Sequence, residues 1–164
     1  MLQQNVAEKS HHRLAFLESL SVSHSDKREH EKILNILSDD YSAFMRLAAN
    51  LSSHSKWIPY PFLLNRLKSI ADEVRGQAEL IRGAIVRLGG PIPQVTSETR
   101  DDVDFRQNIK RLVGDMEAHA SRSELLVHQK NSIRDAAVAA LLGSVASDMQ
   151  NQREELLDIV MRLS

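Results

Sequence analysis

The chain has 164 residues, and 21 Lys and Arg against 22 Asp and Glu give it a formal net charge of -1. This balance gives no electrostatic reason to expect nucleic acid or an anionic membrane as a partner. Cysteine is absent, which excludes disulfides, thiolate zinc sites and cysteine nucleophiles and is typical of a reducing compartment. No window approaches the roughly 20 apolar residues of a membrane span, so a cytoplasmic protein is expected.

The composition indicates an all-α class, because aromatic residues make up only 4% and strand-like runs of β-branched residues are missing. Residues 1–25 form a polar N-terminal extension, in which the stretch 7–20 favours a short amphipathic helix. Ser25 and Asp26 offer N-caps for the first long helix. Residues 26–164 are therefore predicted to form one helical domain.

The first predicted helix spans about 26–54 and carries a heptad-like stripe with steps of four and three residues. Its members are Ile33, Leu37, Asp40, Phe44, Leu47 and Leu51. The second predicted helix spans about 61–88 and ends at Gly89-Gly90-Pro91, where glycine suits the C-cap. Its stripe comprises Leu63, Leu67, Ile70, Val74, Gln77, Ile81, Ala84 and Leu88.

The segment 89–100 lacks helical periodicity and contains two prolines. Twelve extended residues reach roughly 40 Å, nearly the length of a 28-residue helix at about 42 Å, so this segment allows helices two and three to run parallel. Helix three is predicted to start near Asp101-Asp102. Its predicted core side is Ile109, Val113, Met116, Glu117, Ala120 and Val127.

Helix four is predicted from Ser132 or Asp135 to Leu163, after a short break that makes helices three and four antiparallel. Its predicted stripe is Val138, Leu142, Val145, Met149, Gln152, Leu156, Val160 and Leu163. The pattern predicts two antiparallel hairpins joined by one long crossover. The alternative is an up-down-up-down bundle in which the same segment is a wandering loop.

The run from Ala78 to Pro91, with Leu88-Gly89-Gly90 near its end, resembles the end of the second helix in the ferritin superfamily, which includes bacterioferritins and the DNA-protecting ferritins. The segment from Ile109 to Ala120 also resembles bacterioferritin. The resemblance covers about residues 26–163. It implies a ferritin-like four-helix bundle and a homo-oligomer of at least two copies.

In that family helices two and four each supply a Glu-x-x-His pair to a di-iron centre. The resemblance places the first pair at Val74 and Gln77 and the second pair at Met149 and Gln152. Val and Met do not ligate a hard ion, and a Gln carbonyl is a weak neutral substitute. These four positions are therefore interpreted as vacated ligand slots.

Helices one and three of the family each supply a Glu. The helix-three position falls on Glu117, and the helix-one position falls on Asp40 by stripe phase or on Tyr41 by direct comparison. Asp40 and Glu117 are thus the candidate metal residues. Arg75 stands where the bacterioferritin haem ligand is expected, which argues against haem.

These positions predict a non-catalytic binding or structural protein without a cofactor or catalytic residues. The alternative is an iron-binding or iron-oxidising protein with a degenerate site at Asp40 and Glu117; a further alternative is a small ligand in the vacated pocket. Gln77 and Gln152 are expected to hydrogen-bond each other, or Asp40 and Glu117, across the core.

Two other features bear on function. No His-x-x-x-His or Glu-x-x-His pair occurs on a predicted core face, and His119 is expected on a face adjacent to that of Glu117. An aromatic cluster at the turn between helices one and two either caps the bundle or forms a contact patch. The cluster consists of Trp57, Ile58, Tyr60, Pro61 and Phe62.

Overall fold

The computed structural model of the chain describes the backbone of residues 4–164 and the side chains of residues 24–164. It contains four α-helices and no strand in this part of the chain. The helices are α1 (Gln4–Ser53), α2 (Pro61–Arg87), α3 (Phe105–Ser132) and α4 (Ala136–Leu163), with a short 3-10 helix at His54–Lys56 after α1. The predicted all-α four-helix class is confirmed.

The first helix starts earlier than predicted. Ser25 and Asp26 lie inside α1 instead of capping it, since the helical backbone is continuous from Gln4. The side chains of the predicted amphipathic stretch 7–20 lie outside the described residues. Two compact units are present, residues 1–35 and residues 36–164, and the second contains every buried polar side chain that the structure describes.

The end of α2 has the glycine-dependent geometry that its sequence predicts. Gly89 has a φ of 75°, a conformation that favours glycine. Its N–H donates to the carbonyl of Val86, and the N–H of Gly90 donates to the carbonyl of Ile85, both at 3.0 Å. This pair of bonds is a Schellman motif, which satisfies carbonyls that the helix end leaves free.

Aspartate side chains cap the two helices of the second hairpin. Asp104 Oδ1 accepts from the backbone N–H of Gln107 at 2.9 Å, and Asp135 Oδ1 accepts from that of Val138 at 3.0 Å. Helix α3 therefore starts three residues later than the predicted Asp101-Asp102. Residues 88–104 form the connection between the two hairpins.

Side-chain contacts establish the direction of each helix. Asp40 pairs with Arg122 and His54 with Asp115, so α1 and α3 run antiparallel. In the contacts of α2 with α4 and of α3 with α4, residue numbers rise along one helix as they fall along the other, so both pairs are also antiparallel. These contacts are Arg66–Asp158, Glu73–Gln152, His119–Gln152 and Ser123–Ala146. Helices α2 and α3 are therefore parallel, and the crossover predicted over 89–100 extends over residues 88–104.

The core confirms the predicted stripes of α2 and α4 and that of α1 from Leu37 to Leu51, except that Leu88 is half-buried. The predicted core side of α3 is wrong. Its buried residues are Asn108, Leu112, Asp115, His119, Ser123 and Leu126. The apolar residues that suggested the other phase lie on a flank of the helix, because the buried face of α3 is largely polar.

No described helix combines the length and the apolar composition that a membrane crossing requires.

Candidate functional site

The four residues that the resemblance interprets as vacated ligand slots, Val74, Gln77, Met149 and Gln152, lie in the bundle core, as their positions in the stripes predict. Val74 and Met149 are completely buried, and Gln77 and Gln152 retain 5% and 2% of their exposed surface. Val74 and Met149 thus present only apolar side chains to the core. A hard cation finds no charged ligand at either.

Asp40 and Glu117 do not meet in this core. Asp40 is completely buried, whereas Glu117 is exposed to solvent. The prediction for Glu117 fails because it depended on the core phase of α3, which places Asp115 and His119 inward instead.

A hydrogen-bonded chain crosses from α3 through α4 to α2. His119 Nε2 lies 2.9 Å from Gln152 Oε1, and Gln152 Nε2 donates to Glu73 Oε2 at 3.0 Å. Since an ionised carboxylate only accepts, the Gln152 amide nitrogen must face Glu73 and its oxygen must accept from His119. This series of hydrogen bonds runs from a fully buried imidazole to an exposed carboxylate. The partners of Gln152 are therefore His119 and Glu73, and not the predicted Gln77, Asp40 or Glu117.

His119 is a buried neutral imidazole in this arrangement. Burial lowers its pKa, and the charge of Arg153 acts in the same direction, although the bond to Gln152 opposes both. The ring lies on the core face of α3, contrary to its predicted position. Its Nδ1 has no partner, and neither does Gln77 Oε1 on α2.

Asp40 belongs to a separate cluster between α1 and α3. Its Oδ1 accepts from Arg122 Nη1 at 3.0 Å and from Gln129 Nε2 at 3.3 Å. Burial raises the pKa of Asp40 despite these two partners. Asp40 Oδ2 and Gln129 Oε1 have no hydrogen-bond partner, so two acceptors are left without a donor.

These residues do not fit a di-iron centre. Such a centre requires anionic oxygens and imidazoles that converge on two ions. Here the one buried carboxylate of the predicted set is paired with Arg122, and the core imidazole is bonded to Gln152. Within the described residues no group of three or more His, Asp or Glu is arranged to hold a metal ion.

A second polar cluster lies where the crossover meets the end of α1 and the first turns of α3. Arg100 donates to both oxygens of Asp115 at 2.8 Å, and His54 Nε2 lies 2.6 Å from Asp115 Oδ2. Trp57 Nε1 donates to His54 Nδ1 at 2.9 Å. Because an indole N–H only donates, His54 is the neutral tautomer whose Nε2 donates to Asp115.

This cluster holds a charged Asp115 inside the bundle. Burial alone would raise its pKa, but hydrogen bonds from His54 and Arg100, with the charge of Arg100, outweigh burial and lower the pKa. A bidentate arginine fixes geometry as well as charge. The end of the crossover is therefore fastened to α3 through Arg100, and Asp115 links α3 to His54 in the 3-10 helix after α1.

The fastened crossover forms one wall of a cleft of about 280 Å³. The end of α1, the 3-10 helix after it and the first turns of α3 also line the cleft. Its lining includes Ser52, His54, Trp57, Arg100, Asn108 and Arg111. The cavity is close to the lower end of the size range of small-molecule sites. The position of the cleft was not predicted from the sequence. The long polar crossover was a visible signal, because binding residues often lie on such connections.

Comparison with known proteins yields a fold but no family. No protein-family model and no curated protein matches the chain. The crystal structure of a protein from Xanthomonas campestris pv. campestris is similar, with a TM-score of 0.69 and 16% sequence identity. The likeness covers 83% of this chain and 92% of that chain. At this identity the comparison shows the four-helix fold alone.

Proposed function

We propose that the protein is a ferritin-like bundle in which a hydrogen-bonded polar core takes the place of the di-iron centre, and that it has a non-catalytic binding or structural role. The observation that carries this proposal is the set of four slots. Two are apolar and completely buried, Val74 and Met149, and Gln152 is committed to His119 and Glu73.

The crossover topology supports the ferritin-like part of the proposal, because α2 and α3 are parallel and the neighbouring helices are antiparallel. We further propose that the protein forms a homo-oligomer and works in the cytoplasm, in line with its lack of cysteine. Light scattering after size-exclusion chromatography tests the oligomer. A single-chain mass at micromolar concentration contradicts it.

A ferrous-oxidation assay separates this proposal from the iron-oxidising alternative. The chain is mixed with ferrous iron in air, and ferric formation is followed by absorbance for the native chain and for Asp40→Ala and Glu117→Ala. We expect all three to match the protein-free rate. Faster oxidation by the native chain that is lost in Asp40→Ala contradicts the proposal.

A further inference from the structure

The cleft beside the crossover has a polar atom that the protein leaves free. Asn108 is 8% exposed, and its Nδ2 donates to the carbonyl of Val103 at 3.1 Å. No side chain or backbone group of the described residues donates to its Oδ1, which is not sealed in the interior. A nine-tenths buried amide with a vacant acceptor thus lines the cleft.

The basic and acidic side chains around the cleft differ in their exposure to solvent. Arg100 and Arg111 are half-buried, whereas the carboxylates of Glu98, Asp101 and Asp102 are exposed at the rim. Asp115 neutralises Arg100 through two hydrogen bonds. The guanidinium of Arg111 uses one N–H, at Nη1, on the carbonyl of Asp101 at 2.7 Å.

The remaining guanidinium N–H groups of Arg111 are available for a ligand. Neither Arg111 nor the exposed Lys56, which also lines the cleft, forms an ion pair among the described residues. Two cationic side chains therefore line the same cleft as an amide with a free oxygen and three exposed acidic residues. An anionic group and an ammonium group have complementary partners there.

We propose that the cleft binds a small zwitterion of the α-amino acid class, whose acidic group is held by Arg111 and Lys56 and whose ammonium group donates to Asn108 Oδ1 and faces Asp101 and Asp102. The cluster of Arg100, Asp115 and His54 positions the crossover and so preorganises the cleft before the ligand arrives. None of these residues is an iron slot, so the proposal is independent of the proposed function of the core.

Trp57 gives a direct readout, because it is the only tryptophan of the chain and it lines the cleft. The full-length protein is titrated with the common α-amino acids while its fluorescence is recorded. Nitrogen-labelled NMR spectra of the same titration detect ligands that leave the indole unperturbed. We expect at least one amino acid to saturate the signal and to shift resonances of residues 97–102.

Matched derivatives and variants decide the outcome. The N-acetyl and amide derivatives of a binding amino acid each remove one charge, and each is expected to bind at least tenfold more weakly, as is Arg111→Gln with the amino acid itself. Arg106→Gln, an exposed arginine of α3 outside the cleft lining, is expected to leave binding unchanged. Equal binding of the N-acetyl derivative, or no saturable shift with any amino acid, overturns the proposal.

Discussion

The imidazole of His119 and the amide of Gln152 form one hydrogen bond of 2.9 Å across the α3–α4 contact, with both side chains almost wholly buried. Gln152 lies on the core face of α4, and His119 stands opposite it on the core face of α3. The bond joins the two helices of the second hairpin. Its continuation to Glu73 reaches α2, so one polar chain links three helices.

Removal of one partner of this bond is expected to destabilise the protein more than removal of both. Gln152→Leu leaves the buried Nε2–H of His119 without an acceptor, at a cost of about 2 kcal/mol in the free energy of unfolding. In His119→Leu/Gln152→Leu no buried donor remains, so much of that loss is regained. Urea unfolding of both single variants and the double variant measures the coupling. Additive losses contradict a direct bond.

Asp40→Asn is expected to stabilise the protein at pH 7 by about 1 kcal/mol, because the amide removes a charge that burial disfavours. The folded-state pKa of Asp40 is raised above the ordinary value of 3.8. The stability that protonation of Asp40 contributes is therefore complete below pH 3.8 and is lost as the pH rises through the folded-state pKa.

The advantage of Asp40→Asn should accordingly shrink as the pH falls from 7 toward 4 in denaturant titrations. Asp148→Asn, at an exposed position of α4, serves as the matched control and should show little change. A variant that is less stable than the native chain at pH 7 shows instead that the ion pair with Arg122 outweighs burial.

Asp115→Ala is expected to cost about 2 kcal/mol at pH 7, because it leaves the buried His54 N–H without an acceptor and Arg100, which is partly exposed, without its anion. The pKa of Asp115 is lowered, so its contribution is present above pH 3.8 and is lost as the pH falls through the folded-state pKa.

Thermal unfolding at pH 7 and near pH 3.5 checks this expectation, and Asp102→Ala at the exposed rim of the cleft is the control. The deficit of Asp115→Ala should be smaller at the acidic pH. An equal deficit at both pH values indicates that lost packing, and not the charge of Asp115, accounts for the change.

Glycines inside α2 and the glycine just after its end should respond to alanine substitution with opposite sign. A Cβ at Gly76 or Gly83 meets no atom within 4 Å, so each alanine is expected to add up to about 1 kcal/mol through helix propensity. Gly89 has a φ of 75°, so Gly89→Ala should destabilise by about 1 kcal/mol. Equal effects at the three positions, measured by urea unfolding, contradict this account of the helix end.

The sequence predicts most of the fold because three of the four helices bury apolar stripes. In α2 the step from Val74 to Ile81 has the regular spacing of a core face, and the glycines after Leu88 terminate the helix. The prediction failed in α3, where Asp115, His119 and Ser123 face the core. Periodicity identifies apolar faces, so a buried polar face is assigned to solvent.

The same limit applies to the sites. The burial of Val74, Gln77, Met149 and Gln152 was predictable because they occupy apolar stripes, whereas Glu117 was misplaced with the rest of its helix. The cluster of His54, Arg100 and Asp115 joins residues from three segments through contacts that no local pattern encodes. The residue that caps α3 is Asp104 and not Asp101. Which of these neighbouring acidic residues caps the helix depends on the path of the crossover.

Elemental analysis of the protein after expression in iron-rich medium decides whether the bundle holds a metal centre. We expect no stoichiometric iron, because the core positions proposed as ligand slots hold Val74, Gln77, Met149 and Gln152 and the buried Asp40 is already paired. Two tightly held irons per chain, retained through a chelator wash, would contradict this expectation and would restore a ferritin-type centre.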